Sequence, residues 1–483
     1  MRLDELSALD PALTGGGSAE IRGITADSRA VKPGFLFAAL PGVRADGARF
    51  IADAVAAGAA AILAPQGTEW PVQAPARPLL QSPDARRALA LIAAAFHGAQ
   101  PERVVAITGT NGKTSTADFF RQIIGEHAAS LGTLGLIAPG FSRGESLTTP
   151  DPVALHATLA ALHRAGVTDL ALEASSHGLE QRRLDGVRLA AGAFTNLTRD
   201  HLDYHGDMAG YRAAKLRLFE TLLPEGAPAV IHTEMEHETL AALRAIIARR
   251  GLRGIEVGEA ARDIRLLAQR ALPAGQVITF NAFGTTHEVT LGVPGRFQAD
   301  NALIAAGLAY GLGIRDVPAR LAQLQGVRGR MELAATLANG AAIYVDYAHT
   351  PDALARLLAA LRPHVGPGGK LHALFGAGGD RDPGKRPLMG AAASAGADQL
   401  WITDDNPRSE NPATIRAAIL AVAPGACDAG EREAAIALAL DALRPGDVLA
   451  VAGKGHESGQ TIAGVTTPFD DVEVVRRLAG FTP

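Results

Sequence analysis

The chain has 483 residues, 47% of them hydrophobic and only 5% aromatic, with a formal net charge of -4 at pH 7. That length corresponds to about three domains of ~150 residues each, with cores filled by alanine, leucine and valine rather than by rings, which suits helices packed on sheets. No long basic run and little interleaving of arginine with aromatics argue against nucleic acid as a partner. The single cysteine, Cys427, excludes an internal disulfide and fits a reducing compartment.

The segment Met1-Arg2-Leu3-Asp4-Glu5 lacks the apolar core of a signal peptide. The most apolar windows, such as 88–96, are too short to cross a bilayer. A cytoplasmic protein with no membrane span is expected. Residues 1–100 read as a small α/β unit, with strands at 35–40 and 60–64 and helices at 46–57 and 83–97. The polar run Thr25-Ala26-Asp27-Ser28-Arg29 reads as a turn, and 41–47 as a loop ending in a helix N-cap. Gln100-Pro101 marks a boundary.

The next stretch organises the chain. The β-branched apolar run 104–107 enters Gly109-Thr110-Asn111-Gly112-Lys113-Thr114, and a helix is expected over 115–126. Glycines let backbone N–H groups crowd an anion, the helix N-terminus adds its positive end, and Lys113 supplies a point charge. Thr114 offers a hydroxyl to a nucleotide-borne magnesium. The first glycine of a standard Walker loop would fall at Ile107, so this is a shorter phosphate loop.

Alternating strands and helices then run to about 327, as a parallel sheet with helices on both faces requires. Thr148 and Thr149 lie in a loop before a helix. The strand 169–173 ends in Glu173, followed by Ala174-Ser175-Ser176-His177-Gly178. A carboxylate at a strand's carboxyl end suits a magnesium ligand. A strand at 191–195 leads into the polar run 196–206, where His201 is the stronger ligand candidate and His205 reads equally as a surface residue. Lys215 lies on a helix, where a lone lysine is ordinarily solvated. Further strands fall at 227–232, 276–280 and 286–291, the later ones antiparallel at an edge. A helix over 298–310 carries Asn301, and Gly326-Val327-Arg328-Gly329 is a second boundary.

The last part, 329–483, reads as a doubly wound α/β unit with strands at 342–345, 371–375, 400–403 and 448–451. Each strand exit carries chemistry: Asp346 to Pro351, Gly376 to Asp382, Asp404 to Arg408, and Gly453 to Glu457. Such exits from one sheet define a crevice. The run Gly376-Ala377-Gly378-Gly379 fails the dinucleotide pattern at Arg381, which excludes an NAD fold reading.

The phosphate loop, Glu173-Ala174-Ser175-Ser176-His177-Gly178-Leu179, Thr195 to Asp203, Tyr211 to Lys215, Asp346 to Pro351 and Gly453-Lys454-Gly455-His456-Glu457 together resemble the Mur ligase family. The resemblance implies three domains: a uridine-binding α/β domain (1–100), a central ATP-binding parallel sheet (101–328) and a Rossmann-like amino-acid-binding domain (329–483). It implies a cytoplasmic, ATP-dependent amide ligase of peptidoglycan precursor synthesis. Asp405-Asn406-Pro407-Arg408 is similar to the branch that adds meso-diaminopimelate to UDP-N-acetylmuramoyl-L-alanyl-D-glutamate.

By the same resemblance Lys113, Glu173, His201 and Lys215 form the catalytic set. ATP is expected at Gly109, Thr110, Asn111, Gly112, Lys113, Thr114 and Ser115, with Asn301, Arg330 and Asp346. Ser28, Val43, Arg44 and Ala45 would hold the UDP part, and Thr148, Thr149, Ser175, Gln181 and Arg183 the muramoyl dipeptide. Arg381, Asp405, Asn406, Pro407, Arg408, Gly453 and Glu457 would hold diaminopimelate, because arginine reads carboxylates and a glutamate meets an ammonium. Thr114, Glu173, His201 and a carbamylated Lys215 would ligate two magnesium ions. The protein is expected to be a monomer. Ala26 departs from the family's larger aliphatic residue before Asp27. A folylpolyglutamate synthase shares the short loop but has no use for the N-terminal domain, and a lysine-adding ligase differs at 405–408.

Overall fold

The structure is a computed structural model that describes residues 1–42, 46–142 and 147–480. The chain divides into two compact units. The first comprises residues 1–117, 124–231 and 235–254, and the second 118–123, 232–234 and 255–483.

The first unit holds two sheets. The N-terminal sheet is all parallel, β1 (Gly23–Thr25), β2 (Phe35–Ala38), β3 (Ala61–Pro65) and β4 (Leu79–Ser82), in chain order. The expected helix over 46–57 is instead a 3₁₀ turn, Gly47–Phe50, followed by a short α-helix, Ile51–Ala56. Asp46 caps the backbone N–H of Ala48, two residues on, a spacing that starts the tighter turn.

The second sheet is built from β5 (Arg103–Thr108), β6 (Ala128–Gly132), β7 (Gly135–Ile137), β8 (Asp169–Glu173), β9 (Leu189–Phe194) and β10 (Pro228–His232). Their order is β10-β9-β5-β8-β6-β7, parallel except for the terminal β6–β7 hairpin. Strands β5 and β8 sit in the middle and are apolar on both faces, which is why they read as continuous hydrophobic runs. Their register is pinned where Arg103 faces Asp169, with hydrogen bonds of 2.6 and 2.7 Å. The same register sets Ile107 beside Glu173, so the phosphate loop and the glutamate leave the sheet side by side.

The second unit begins with β11 (Arg253–Gly258) beside β12 (Ile264–Leu272), and continues into antiparallel β13 (Gly275–Ala282) and β14 (Thr285–Leu291). Its six-stranded sheet contains β15 (Glu332–Thr336), β16 (Ala342–Asp346), β17 (Leu371–Phe375), β18 (Gln399–Thr403), β19 (Cys427–Gly430) and β20 (Val448–Ala452). The order is β15-β16-β20-β17-β18-β19, with only β15 antiparallel. A hairpin of β21 (Gly459–Ile462) and β22 (Val465–Pro468) follows. Apolar clusters cover both faces of this sheet, as in a doubly wound fold. Among the described residues no helix is long and apolar enough to cross a membrane.

Candidate active site

The phosphate loop is shaped by one glycine and braced by one neighbouring segment. Gly109 has φ +141, and a Cβ there would lie 2.0 Å from Thr195 Oγ1, so no other residue passes. The polar run after β9 then holds the loop. Asn196 O accepts from Thr110 N and Asn196 Oδ1 from Asn111 N, both at 2.9 Å. Thr195 Oγ1 donates to Asn111 O at 2.6 Å, and Thr198 N donates to Thr110 Oγ1 at 2.9 Å. The helix Lys113–Ile124 starts directly at the loop, two residues earlier than expected, so Lys113, Thr114 and Ser115 form its positive end. Lys113 Nζ donates to Gly109 O (2.9 Å) and Thr110 O (2.8 Å), which keeps its ammonium against the loop.

Lys215 is not the solvated lysine its helix position suggests. It is 1% exposed on the helix Met208–Arg217, donates to Gly109 O at 2.8 Å and stands 4.6 Å over the Tyr211 ring. Burial, with the positive charge of Lys113 adding to it and Asp200 opposing, pushes the Lys215 ammonium well below the ordinary lysine range. Tyr211 Oη lies 3.1 Å from Thr110 Oγ1, and burial pushes its phenol up to about 12. The His201 ring is 6.2 Å from the Tyr211 ring and 5.0 Å from that of His177. Thr110, Lys215 and His201 therefore share Tyr211 as a neighbour. His201 itself has a left-handed backbone, φ +52, a strained conformation of the kind found where a side chain must be aimed. His205 is tied to Ser176 and Glu180, each at 2.9 Å, and its side chain is buried, a structural role.

Glu173 is buried at the end of β8, and Thr133 grips both its oxygens: the backbone N–H at 2.9 Å on Oε1, the hydroxyl at 3.3 Å on Oε2. A Cβ on Gly132 would lie 1.9 Å from Oε1, so the glycine makes room for the carboxylate. Nothing in the sequence singled out Thr133, which lies 40 positions from its partner.

From there a chain of hydroxyls and amides continues. Thr133 Oγ1 meets Thr148 Oγ1 at 3.1 Å, and Thr149 Oγ1 donates to Glu173 O at 2.7 Å and lies 3.0 Å from Ser175 Oγ. Arg183 donates to Thr149 O (2.5 Å) and Gln181 Oε1 (2.7 Å), and Gln181 donates to Tyr204 Oη at 3.0 Å. Thr148, Thr149, Ser175, Gln181 and Arg183 thus form one patch.

A cavity of about 590 Å³ opens between the end of β1 and the helix Pro152–Arg164, lined by Thr25, Asp27, Phe35, His97, Asp151 and Ala157 among others. Ser28 sits beside it in the 3₁₀ turn Ser28–Ala30, which Asp27 caps by accepting from the Arg29 N–H. Val43, Arg44 and Ala45 lie outside the described residues.

In the second unit Asn301 is buried on the helix Arg296–Gly311 and donates to Gln298 Oε1 at 3.0 Å. Asp346, at the end of β16, accepts from the backbone N–H of Met331 and of Ala348, both at 2.8 Å. Burial raises its carboxyl despite the opposing charge of Arg330, whose guanidinium lies 5.3 Å over the Tyr347 ring. Exits of β17, β18 and β20 meet as expected. A Cβ on Gly453 would lie 2.6 Å from Asp405 Oδ2, and one on Gly378 would lie 2.9 Å from Arg408 Nη1 and 3.9 Å from Arg381 Cγ. Arg408 has φ +53 and donates to Gly379 O at 2.6 Å, Asn406 donates to Glu457 at 2.9 Å, and a Cβ on Gly379 would lie 1.9 Å from Pro407 O.

Among the described residues, the one His/Asp/Glu group at metal-ligand spacing is His232, Glu234 and Asp300. Arg296 lies 3.0 Å from both carboxylates, so this group is an ion-pair network.

Known proteins match this chain along most of its length. Residues 20–97 match the Mur ligase family catalytic domain, 107–309 the Mur ligase middle domain and 329–455 the Mur ligase glutamate ligase domain. The chain is 53% identical, over 95% of its length and 96% of the relative, to the UDP-N-acetylmuramoyl-L-alanyl-D-glutamate--2,6-diaminopimelate ligase of Caulobacter vibrioides. It is 51% identical, over 97% of its length and 96% of the relative, to the protein of that name in Bradyrhizobium diazoefficiens. A solved structure of the same name superposes with a TM-score of 0.71 at 32% identity, covering 95% of this chain and 94% of that one. With such identity along nearly the whole chain, the chain belongs to the Mur ligase family.

Proposed function

We propose that this protein joins meso-2,6-diaminopimelate to the D-glutamate γ-carboxylate of UDP-N-acetylmuramoyl-L-alanyl-D-glutamate at the expense of ATP, in cytoplasmic peptidoglycan precursor synthesis. The observation that carries this reading is the 53% identity, over 95% of this chain, with a relative of that name. The three domains would divide the work at residues 1–100, 101–328 and 329–483, in a monomer.

A free carboxylate does not form an amide in water because oxide is a poor leaving group, so it must be activated. A γ-carboxylate oxygen attacks the γ-phosphorus of ATP, and the bond to the β,γ-bridging oxygen breaks. ADP leaves and an acyl phosphate forms. The amine of diaminopimelate then attacks the acyl carbon, the carbon–oxygen bond breaks, phosphate departs and the amine's proton goes to solvent. In this scheme the loop 109–115 cradles the phosphates, and Lys113 moves from its loop carbonyls to the transferring group. The family resemblance assigns Asn301, Arg330 and Asp346 to the rest of the nucleotide.

Magnesium would neutralise charge on that group. Thr114, Glu173 and His201 offer a hydroxyl, a carboxylate and an imidazole, and a carbamylated Lys215 would add the oxygen ligand that lets the set hold two ions. The buried Lys215 suits that modification. Its depressed ammonium favours the free amine, whose nitrogen attacks carbon dioxide and loses a proton to give a carbamate with one negative charge.

Thr148, Thr149, Ser175, Gln181 and Arg183 would grip the muramoyl dipeptide, and the family resemblance assigns Ser28, Val43, Arg44 and Ala45 to the UDP part. Arg381, Asp405, Asn406, Pro407, Arg408, Gly453 and Glu457 would receive diaminopimelate. The test is a competition: UDP-dipeptide and ATP are offered with equal diaminopimelate and lysine, and the product is weighed. A product carrying diaminopimelate supports the reading, whereas a lysine product or none overturns it.

A further inference from the structure

The motif Gly453 to Glu457 contains a lysine that the proposed mechanism does not use. Lys454 is 0% exposed, an unusual place for an ammonium. Its Nζ donates to Gly459 O (2.6 Å), Asn406 Oδ1 (3.2 Å) and Glu457 Oε2 (3.3 Å), so all three of its donors are used.

These bonds settle which way the Asn406 amide points. Oδ1 also accepts from Thr461 N at 3.0 Å, so a flipped amide would set its NH₂ against an ammonium and a backbone N–H. Nδ2 is thereby turned to Glu457 Oε2 at 2.9 Å. One glutamate oxygen receives both Asn406 and Lys454, while Oε1 carries neither bond. The same network binds the hairpin to the strand exit: Gln460 Nε2 donates to Asp405 O at 2.7 Å, and Arg408 N donates to Thr461 O at 3.0 Å.

We infer that Lys454 and Asn406 are positioning residues for the incoming amino acid: together they lock the Glu457 carboxylate so that Oε1 faces the amino acid's ammonium. This adds to the expected role of Asn406, whose Oδ1 accepts from both Lys454 and Thr461 and whose Nδ2 gives one of its two hydrogens to Glu457. It rests on the proposed ligase reading, since that reading supplies the ammonium. A locked carboxylate loses no rotamer freedom on binding, and that advantage acts on amino-acid affinity alone.

The test is steady-state kinetics of the full chain with each substrate varied in turn. Lys454→Met keeps the length of the side chain and removes the charge. It is expected to raise KM for the diamino acid about 10- to 100-fold, the worth of a lost charge-assisted hydrogen bond. KM for ATP and for the UDP-dipeptide should stay within about twofold, a split that general loosening of the fold does not produce. Asn406→Asp, which sets a carboxylate against Glu457, should give the same split, and serves if Lys454→Met does not fold. In a Glu457→Gln background Lys454→Met should add little further loss, because both act through one carboxylate. A wild-type enzyme that ligates while both single variants keep the amino-acid KM within twofold overturns the inference and leaves the ligase reading standing. Additive losses in the Glu457→Gln background also overturn it. A wild-type enzyme that ligates no diamino acid sinks the ligase reading itself.

Discussion

Replacing Lys215 by methionine separates a structural lysine from one that carries a functional charge. The side chain is 1% exposed and gives one hydrogen bond, to Gly109 O. Methionine keeps its length, loses a bond worth about 1 kcal/mol and removes a buried amine whose desolvation was itself unfavourable. Stability should therefore stay within about 1–2 kcal/mol, and Tm within a few degrees. If Lys215 carries a carbamate, one negative charge disappears from beside the Lys113 ammonium. The loss resembles that of a preorganised electrostatic group, about 10²- to 10³-fold in kcat. Lys215→Arg, which keeps a positive charge but forms no carbamate, should be equally impaired. Phosphate release at saturating substrates reads kcat. In ¹³C-bicarbonate, a carbamate carbon resonance should appear in the wild type and vanish in Lys215→Met. A folded Lys215→Met with kcat within about threefold of wild type would refute the reasoning.

Gly109→Ala forces a Cβ to within 2.0 Å of Thr195 Oγ1 at a φ of +141. It should cost about 2–3 kcal/mol and abolish the rise in Tm that ATP produces, both seen by thermal scanning with and without nucleotide. Arg432 is buried against Asp471 with hydrogen bonds of 2.7 and 2.8 Å, so Arg432→Met leaves a buried carboxylate unpaired. Urea unfolding should show a loss of about 3–5 kcal/mol, partly recovered by adding Asp471→Asn. His156 is held neutral by burial, with His97 and Arg188 adding to it, and its imidazole is pushed down to about 4. Below pH 6.5 the unfolded chain binds the proton that the folded one refuses. Its contribution is therefore intact above pH 6.5 and is lost as pH falls towards 4, by about 2–4 kcal/mol in all. His156→Leu should flatten unfolding free energy against pH by that amount, and an unchanged slope would contradict the assignment.

What could be read from residues alone follows the length scale of the physics. Strands β5 and β8 are buried on both faces, so their apolar runs announce them, and the glycine loop is a local pattern. Short strands β1, β4 and β19 carry too few residues for any periodicity to show. The helix expected from Asp46 becomes α-helical only at Ile51, because its cap selects a tighter first turn. Burial of Lys215 and Lys454 was invisible, since each lies in a polar or glycine-rich stretch and is covered by distant elements. Thr133 on Glu173 and the cavity between residues 23–27 and 151–157 arise from contacts across sequence that no spacing rule encodes. Strand exits, by contrast, were legible as candidate site loops because parallel sheets gather them at one edge.

Oxygen transfer tests activation of the carboxylate most directly. UDP-dipeptide labelled with ¹⁸O in the D-glutamate γ-carboxylate is turned over with ATP and diaminopimelate, and the inorganic phosphate is examined by mass spectrometry. An acyl phosphate requires one ¹⁸O in each phosphate released. Tripeptide formed alongside unlabelled phosphate would contradict the mechanism.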